Sequence, residues 1–242
     1  MVNRELSLSK ISMKSILLLS LIALHLPLFA QTNFTTENEE FIGWQPGTTF
    51  DFQDYQAEKS EHFLKLTERF DYSTVTNIQV FAYLDVPRKK SQRRKKLEQV
   101  YIAPVFCKQC SFALKEDSTE LKQDQVYFMI AEFAARVGRM NFDSLRISIP
   151  GTGIYAIKFM ELRNDMLDML QQLYARYTQD IMIDKRDGAY EEWVTKLNAE
   201  LKKLEQYATK PEDCHRIITG QPILDDYILA PTVGGDPKGR NY

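Results

Sequence analysis

The chain has few of the residues that build most metal and nucleophile sites. Only three cysteines and three histidines occur in its 242 residues. It contains no G-x-S-x-G sequence, the strand-to-helix turn that carries a hydrolase serine, and no glycine-rich phosphate loop. A cysteine–histidine nucleophile would have to combine Cys107 or Cys110 with His62 or His215, and no spacing supports that combination. The sequence therefore disfavours the common hydrolase and nucleotide-binding sites.

Net charge is almost absent as well, because 31 lysines and arginines face 33 aspartates and glutamates, for a formal net charge of −2. This mildly acidic total argues against a dedicated nucleic-acid binder. What the chain does contain is core-forming material, with 44% hydrophobic and 12% aromatic residues, which excludes a disordered protein. Its length fits one domain, or one domain and a tail.

One apolar run lies near the N-terminus, ILLLSLIALHLPLF at residues 16–29, and two lysines precede it. The run is short for a membrane span, and Pro27 interrupts it. The small residue Ala30 then precedes a polar segment. We interpret residues 1–30 as a secretory signal peptide and residues 31–40 as a polar leader; an uncleaved N-terminal anchor is the alternative. The protein is then exported to the periplasm or the exterior, and no transmembrane span remains after cleavage.

Export places the three cysteines in an oxidising compartment, where they predict one disulfide and one free thiol. Cys107 and Cys110 form a C-x-x-C, and Cys214 precedes His215. The spacing does not decide between a Cys107–Cys110 bridge and a bridge from either of them to Cys214. A structural zinc site of these four residues is a weaker alternative, because one C-x-x-C with a remote C-H is a poor zinc pattern. We expect no metal and no other cofactor.

The order of secondary structure predicts an α+β domain over residues 41–208, with antiparallel strands before helices. Residues 41–70 contain many aromatics and turn residues, which favours short strands. Alternating apolar residues and β-formers predict two longer strands, at 75–86 and 97–106. Apolar residues at helical spacing predict three helices, at 119–140, 154–177 and 189–208. Prolines and glycines beyond them indicate a loosely ordered C-terminal tail, 209–242.

A run of positive charge, PRKKSQRRKK at residues 87–96, separates the two longer strands. Its basic residues are Arg88, Lys89, Lys90, Arg93, Arg94, Lys95 and Lys96. The simplest interpretation is a solvated hairpin loop that its like charges keep extended. The sharper hypothesis is a binding patch for an anionic envelope polymer, a lipid headgroup or an acidic protein.

The first predicted helix carries the most informative segment, LKQDQVYFMIAEFAAR at residues 121–136. Residues three and four apart share a face of a helix, and one such stripe is apolar: Tyr127, Ile130, Ala131, Ala134 and Val137. Gln123 lies one turn before Tyr127 on that stripe, Asp124 lies about 100° away, and Glu132 lies roughly opposite Gln123. The segment alone predicts a buried amphipathic helix.

The same segment resembles the motif of a bacterial family of predicted secreted zinc-dependent proteases, which reads approximately L-x-H-E-Q-x-H-F-D-I-A-E-x-x-A-R. The matching residues are Leu121, Gln125, Phe128, Ile130, Ala131, Glu132, Ala135 and Arg136. Weaker similarities follow in the same order, at Trp44-Gln45-Pro46, Ile78 to Asp85, Cys110 to Phe112, Gly188 and Trp193. The resemblance covers most of residues 41–204 and implies a zincin-like scaffold.

This chain departs from the family at the metal site. The first zinc histidine falls on Gln123, the general-base glutamate on Asp124, the second histidine on Tyr127 and a late histidine on Asp187. A glutamine carbonyl is a poor zinc ligand, and a tyrosine must first lose a proton with a pKa near 10. An aspartate in the base position loses reach to a metal-bound water.

The resemblance therefore implies an exported pseudo-metalloprotease, a non-catalytic binding or structural module of the cell envelope. Its former cleft would hold a partner protein's peptide or an anionic surface polymer, with help from the basic run. Two alternatives stay open. One is a secreted zinc-dependent metalloprotease with atypical ligands. The other is a disulfide- or zinc-stapled envelope protein of unrelated function.

Overall fold

The computed structural model describes residues 34–93, 95–148 and 154–230. The predicted signal peptide, the start of the leader, Arg94 and the last 12 residues of the tail lie outside the described residues. In the described part, none of the helices combines the length and apolar character that crossing a bilayer requires.

An antiparallel hairpin of two long strands forms the centre of the fold, with β3 (Ile78–Pro87) paired to β4 (Gln99–Cys107). Two short strands complete a four-stranded sheet by pairing at its edges, β1 (Phe41–Gly43) with β4 and β6 (Tyr227–Leu229) with β3. A second sheet of two strands pairs β2 (Thr74–Val75) with β5 (Phe112–Ala113). Both predicted long strands are therefore present.

Five α-helices occur in the described part. They are α1 (Glu61–Phe70), α2 (Ser118–Ser148), α3 (Ile154–Thr178), α4 (Ala189–Lys203) and α5 (Pro211–Thr219). Antiparallel strands dominate the first half and helices the second, which confirms the predicted α+β class. The three predicted helices correspond to α2, α3 and α4, although α2 continues eight residues beyond its predicted end.

Helices cover both faces of the central hairpin. Val80 and Leu84 of β3 pack with Ile130 of α2 in the main core. On the other face, Val105 of β4 packs with Cys214 and Ile217 of α5 in a smaller cluster. Because a helix packs on each face, β3 is buried along almost its whole length. The packing of α2 on one face positions this helix relative to the sheet.

The prediction of short strands throughout residues 41–70 is wrong at α1. Ser60 caps this helix by accepting a hydrogen bond from the Phe63 amide at 3.3 Å, and Glu61 pairs with Lys65 one turn later at 2.6 Å. Asp71 ends it in the left-handed conformation, with φ 51°. The aromatic content indicated strands, but the cap and the charge spacing favour a helix.

The prediction of a loosely ordered tail from Thr209 is wrong for residues 209–230. Pro211 opens α5 and Gly220 ends it, so these residues terminate a helix instead of marking an irregular loop. Arg216 of α5 donates two hydrogen bonds of 2.7 Å to Asp85 of β3, and both side chains are buried. The segment is therefore part of the folded domain.

Candidate functional site

A pocket of about 470 Å³ lies where the N-terminal half of α2 meets the start of β3 and the C-terminal end of α3. Its apolar lining includes Leu66 and Phe70 of α1, Ile78 of β3 and Met182 beyond α3. The size lies within the range of small-molecule and side-chain pockets, which are mostly apolar with a few placed polar groups. The pocket is therefore the candidate site of this fold.

Asp124 is the acidic residue in the pocket lining, and it is 1% exposed. Its Oδ2 atom accepts hydrogen bonds from the hydroxyls of Thr74 at 2.6 Å and Tyr55 at 3.0 Å. Burial raises the pKa of this carboxyl to about 6, against the opposing effect of the hydroxyl donors. The negative charge of Glu120 adds to the rise.

Three tyrosine rings also line the pocket, and hydrogen bonds hold each of them. The Tyr127 hydroxyl lies 2.7 Å from Thr178 Oγ1, and the Tyr174 hydroxyl donates to the Tyr127 carbonyl at 3.3 Å. The Tyr72 hydroxyl donates to Gln123 Oε1 at 2.5 Å. Burial raises the pKa of Tyr127 to about 12 and raises the pKa of the other two further, so all three phenols stay protonated at physiological pH.

The four positions singled out by the resemblance divide between this pocket and a neighbouring cleft. Asp124 and Tyr127 line the pocket. Gln123 and the exposed Asp187 line the cleft, which measures about 570 Å³. Tyr72 contributes to the walls of both. The fold thus brings all four residues close to the N-terminal half of α2. Two of them line the pocket and two line the cleft, and Tyr72 lines both.

Zinc does not fit this set of residues. Gln123 Oε1 and Asp124 Oδ2 already accept hydrogen bonds from neutral hydroxyls, and Tyr127 would have to lose a proton that burial makes harder to remove. Asp187 lies in the neighbouring cleft, not in the pocket. Across the described residues, no three side chains of histidine, cysteine, aspartate or glutamate form a group that could hold a metal ion.

The cysteines form one disulfide, between Cys107 and Cys110, and leave Cys214 free and buried. Cys214 Sγ accepts from Gln45 Nε2 at 3.4 Å and donates to the Trp44 carbonyl at 3.3 Å. His215 Nδ1 accepts from the Thr35 amide at 3.0 Å. The four residues of the alternative structural zinc site are therefore engaged elsewhere, two of them with each other.

The described residues of the basic run lie in the loop of the β3–β4 hairpin, at the end of β3 opposite the pocket. Part of its charge is compensated, because Lys96 pairs with Asp226. Arg88 donates to the Asp225 main-chain carbonyl at 3.3 Å. Arg93 donates to the Pro87 carbonyl at 3.0 Å. Three exposed lysines have no ion pair with a described residue: Lys89, Lys90 and Lys95. The described residues of the loop are absent from the pocket lining, so the loop does not help the pocket directly.

Sequence reasoning missed most of the polar groups around the pocket. Tyr55, Tyr72 and Thr74 come from the turns around α1 and β2, and Tyr174 and Thr178 come from the end of α3. No motif connects them, since they lie about 50 or more residues from Asp124 and Tyr127 in the chain. The one available signal is the polar alternation Thr74-Val75-Thr76 at the start of the strand predicted for residues 75–86.

Comparison with protein-family models, curated proteins and solved structures finds nothing that matches this chain. The resemblance to secreted zinc proteases therefore rests on the residues of α2 and its weaker flanking similarities. The pocket itself is therefore the basis for a functional proposal.

Proposed function

We propose that this chain is an exported, non-catalytic binding module of the cell envelope, built on a zincin-like scaffold whose metal site has been lost. The observation that carries the proposal is the wall of the pocket. Asp124 and Tyr127, which stand where the family has its base and its second zinc ligand, line a preformed cavity and bond to hydroxyls of this chain. These residues support a site that holds a ligand without reacting with it.

The composition of the pocket favours a ligand that is part of a larger molecule. Aromatic and aliphatic walls supply contact area, and a few hydroxyls with one carboxylate can orient the ligand. Most ligand-binding sites combine apolar and polar groups in this way. A side chain of a partner protein's peptide, or one unit of a surface polymer, fits such a pocket. The exposed lysines of the hairpin loop would offer a separate contact for an anionic polymer.

Metal analysis of purified protein tests the non-catalytic proposal against an atypical metalloprotease. We expect far less than one zinc per chain, with no change in metal content in Gln123→Ala or Tyr127→Ala. We also expect no cleavage of a denatured protein substrate. One zinc per chain that either variant loses, together with chelator-sensitive cleavage that Asp124→Asn abolishes, would overturn the proposal and support the metalloprotease.

Export is tested separately, by locating the protein and sequencing its N-terminus. We expect the mature chain to begin at Gln31 and to occur in the periplasm or the medium. A chain that keeps residues 1–30 and stays with the membrane would support the anchor alternative. A chain found only in the cytoplasm would contradict the proposed export to the cell envelope.

A further inference from the structure

Asp124 differs from the other buried carboxylates because it has no cationic partner among the residues that the structure describes. The ion pairs among the described residues do not include it. The other buried acids each lie near a cation: Asp85 near Arg216, Glu132 near Arg136 and Arg139, and Asp213 near Arg139 and Lys210. Burying a carboxylate without a counter-charge is costly, and hydroxyl donors offset only part of that cost. The described lining of the pocket therefore supplies no positive charge to balance Asp124.

The walls around Asp124 suit a positive charge. Three tyrosine rings line the same pocket, and a cation is attracted to the face of an aromatic ring as well as to a carboxylate. The rings of Tyr127 and Tyr174 stand nearly perpendicular, with centroids 5.2 Å apart, so together they form a corner. Hydrogen bonds to Thr178 and to main-chain carbonyls hold this corner in place, which lowers the cost of ordering it around a ligand.

The rest of the lining suits an aliphatic chain. Leu66, Val75, Ile78 and Met182 contribute apolar surface to the same pocket. A metal ion would need several oxygen or nitrogen ligands, and Asp124 supplies one carboxylate. A guanidinium pairs best with both oxygens of a carboxylate, and Asp124 Oδ2 already accepts from Thr74 and Tyr55. A group with a compact charge on an alkyl stem would cover both parts of the lining at once.

We propose that the pocket binds an aliphatic ammonium group, with the nitrogen beside Asp124 and the tyrosine corner, and with the alkyl stem along the apolar wall. This inference rests on the proposed function, since it names the ligand chemistry of that binding site. Two sources share this chemistry, a lysine side chain of a partner protein and a free aliphatic diamine. No other part of the proposal depends on which of them is used.

A charge series on purified protein tests the inference without any variant. The probes are pentylammonium, 1-pentanol and pentanoate, which share one alkyl chain, and binding is followed by NMR of the amides of residues 74–79 and 123–127. We expect pentylammonium to bind at least about tenfold more tightly than 1-pentanol, and pentanoate to bind more weakly than both. Equal binding of the amine and the alcohol would overturn the inference and leave a binding pocket for neutral groups, so the proposed function would survive.

The variant Asp124→Asn locates the effect. We expect it to reduce the preference for pentylammonium over 1-pentanol to less than about threefold, whereas the matched exposed change Asp168→Asn on α3 leaves the preference unchanged. Retention of the full preference in a folded Asp124→Asn protein would overturn the inference. Absence of binding by all three probes would overturn the inference and the binding-module proposal together.

Two further probes distinguish the sources of the ammonium group. They are the capped tripeptide acetyl-Gly-Lys-Gly-amide and free 1,5-diaminopentane. Tighter binding of the peptide supports a lysine of a partner protein, and tighter binding of the diamine supports a small metabolite. Failure of both, with pentylammonium bound, would contradict both named sources and restrict the site to simple monoamines.

Discussion

The hydroxyl of Thr209 donates a hydrogen bond to Glu132 Oε2 at 2.5 Å, and the Thr209 amide donates to Oε1 at 3.0 Å. These bonds join the start of the C-terminal segment to the middle of α2. Arg136 Nε lies 2.7 Å from the same carboxylate, which is fully buried, and Arg139 lies 3.4 Å from it. One buried carboxylate therefore pairs with two guanidinium groups inside the domain.

The variant Glu132→Ala should be strongly destabilised. It removes the buried counter-charge of Arg136 and one of the two acids near Arg139. Losing one partner of a buried ion pair typically lowers the free energy of unfolding by about 3–5 kcal/mol. Urea denaturation measures the change. The control is Glu161→Ala, which removes an exposed pair with Lys158 and should cost less than about 1 kcal/mol. Similar losses in the two variants would show that the buried network contributes no more than a surface pair.

The buried ion pair of Arg216 and Asp85 allows the contribution of α5 to the stability of the domain to be measured. Arg216→Ala leaves Asp85 buried at 1% exposure with an unpaired charge, so we expect a loss of roughly 3–5 kcal/mol in the free energy of unfolding. Arg176→Ala, at an exposed position on α3, is the matched control and should change it by less than about 0.5 kcal/mol. A small effect of Arg216→Ala would mean that α5 adds little to the fold.

These two networks show where prediction from the sequence stops. Apolar periodicity identified the hairpin and α2, α3 and α4, because local spacing determines which face of an element is buried. Charged residues carry no such signal, and Glu132 bonds to a residue 77 positions away and Asp85 to one 131 positions away. The segment that holds Thr209 and Arg216 therefore resembled a tail. The motif on α2 located Asp124 and Tyr127, but the residues that complete the pocket could not be inferred without the fold.

Asp124 should make the stability of the domain depend on pH in an unusual direction. Its folded pKa of about 6 lies above the ordinary value of 3.8. The folded state therefore holds this proton more tightly than the unfolded state, and the stability that this provides is lost as pH rises from about 4 to 6. Above that range the ionised carboxyl costs roughly 3 kcal/mol relative to its protonated form.

Asp124→Asn removes this cost, because the amide is neutral and still accepts from Thr74 and Tyr55. We expect the variant to be more stable than the parent at pH 8, by up to about 3 kcal/mol, and similar to it at pH 4. Thermal or urea unfolding at the two pH values measures the difference. A variant that is less stable than the parent at pH 8 would show that the carboxylate serves the fold instead of a ligand site.

Thiol chemistry should separate the observed disulfide from a structural zinc site. Cys214 is fully buried, and burial raises the pKa of its thiol to about 12, so the native protein should react slowly with a thiol reagent. Unfolding in guanidinium without a reductant should reveal one thiol per chain, and reduction should reveal three. Three thiols without reduction, released together with zinc, would support the zinc-stapled alternative.

Restoring the family's residues tests whether the scaffold is zincin-like. Gln123 and Tyr127 lie one helical turn apart on α2, and Met182 lines both the pocket that contains Tyr127 and the cleft that contains Gln123 and Asp187. If the scaffold is zincin-like, histidines at positions 123, 127 and 187 would have their rings near one point, with a glutamate at 124 beside them. We expect the fourfold variant Gln123→His, Asp124→Glu, Tyr127→His and Asp187→His to bind one zinc per chain. Zinc at a hundredfold excess over its dissociation constant should add about 2.7 kcal/mol to the free energy of unfolding.

The matched control keeps the other three changes but carries Gln123→Ala, which removes one ligand and should lose the zinc. A folded fourfold variant that takes up no more zinc than this control would contradict the zincin-like scaffold, because its helix would present the ligands in the wrong directions.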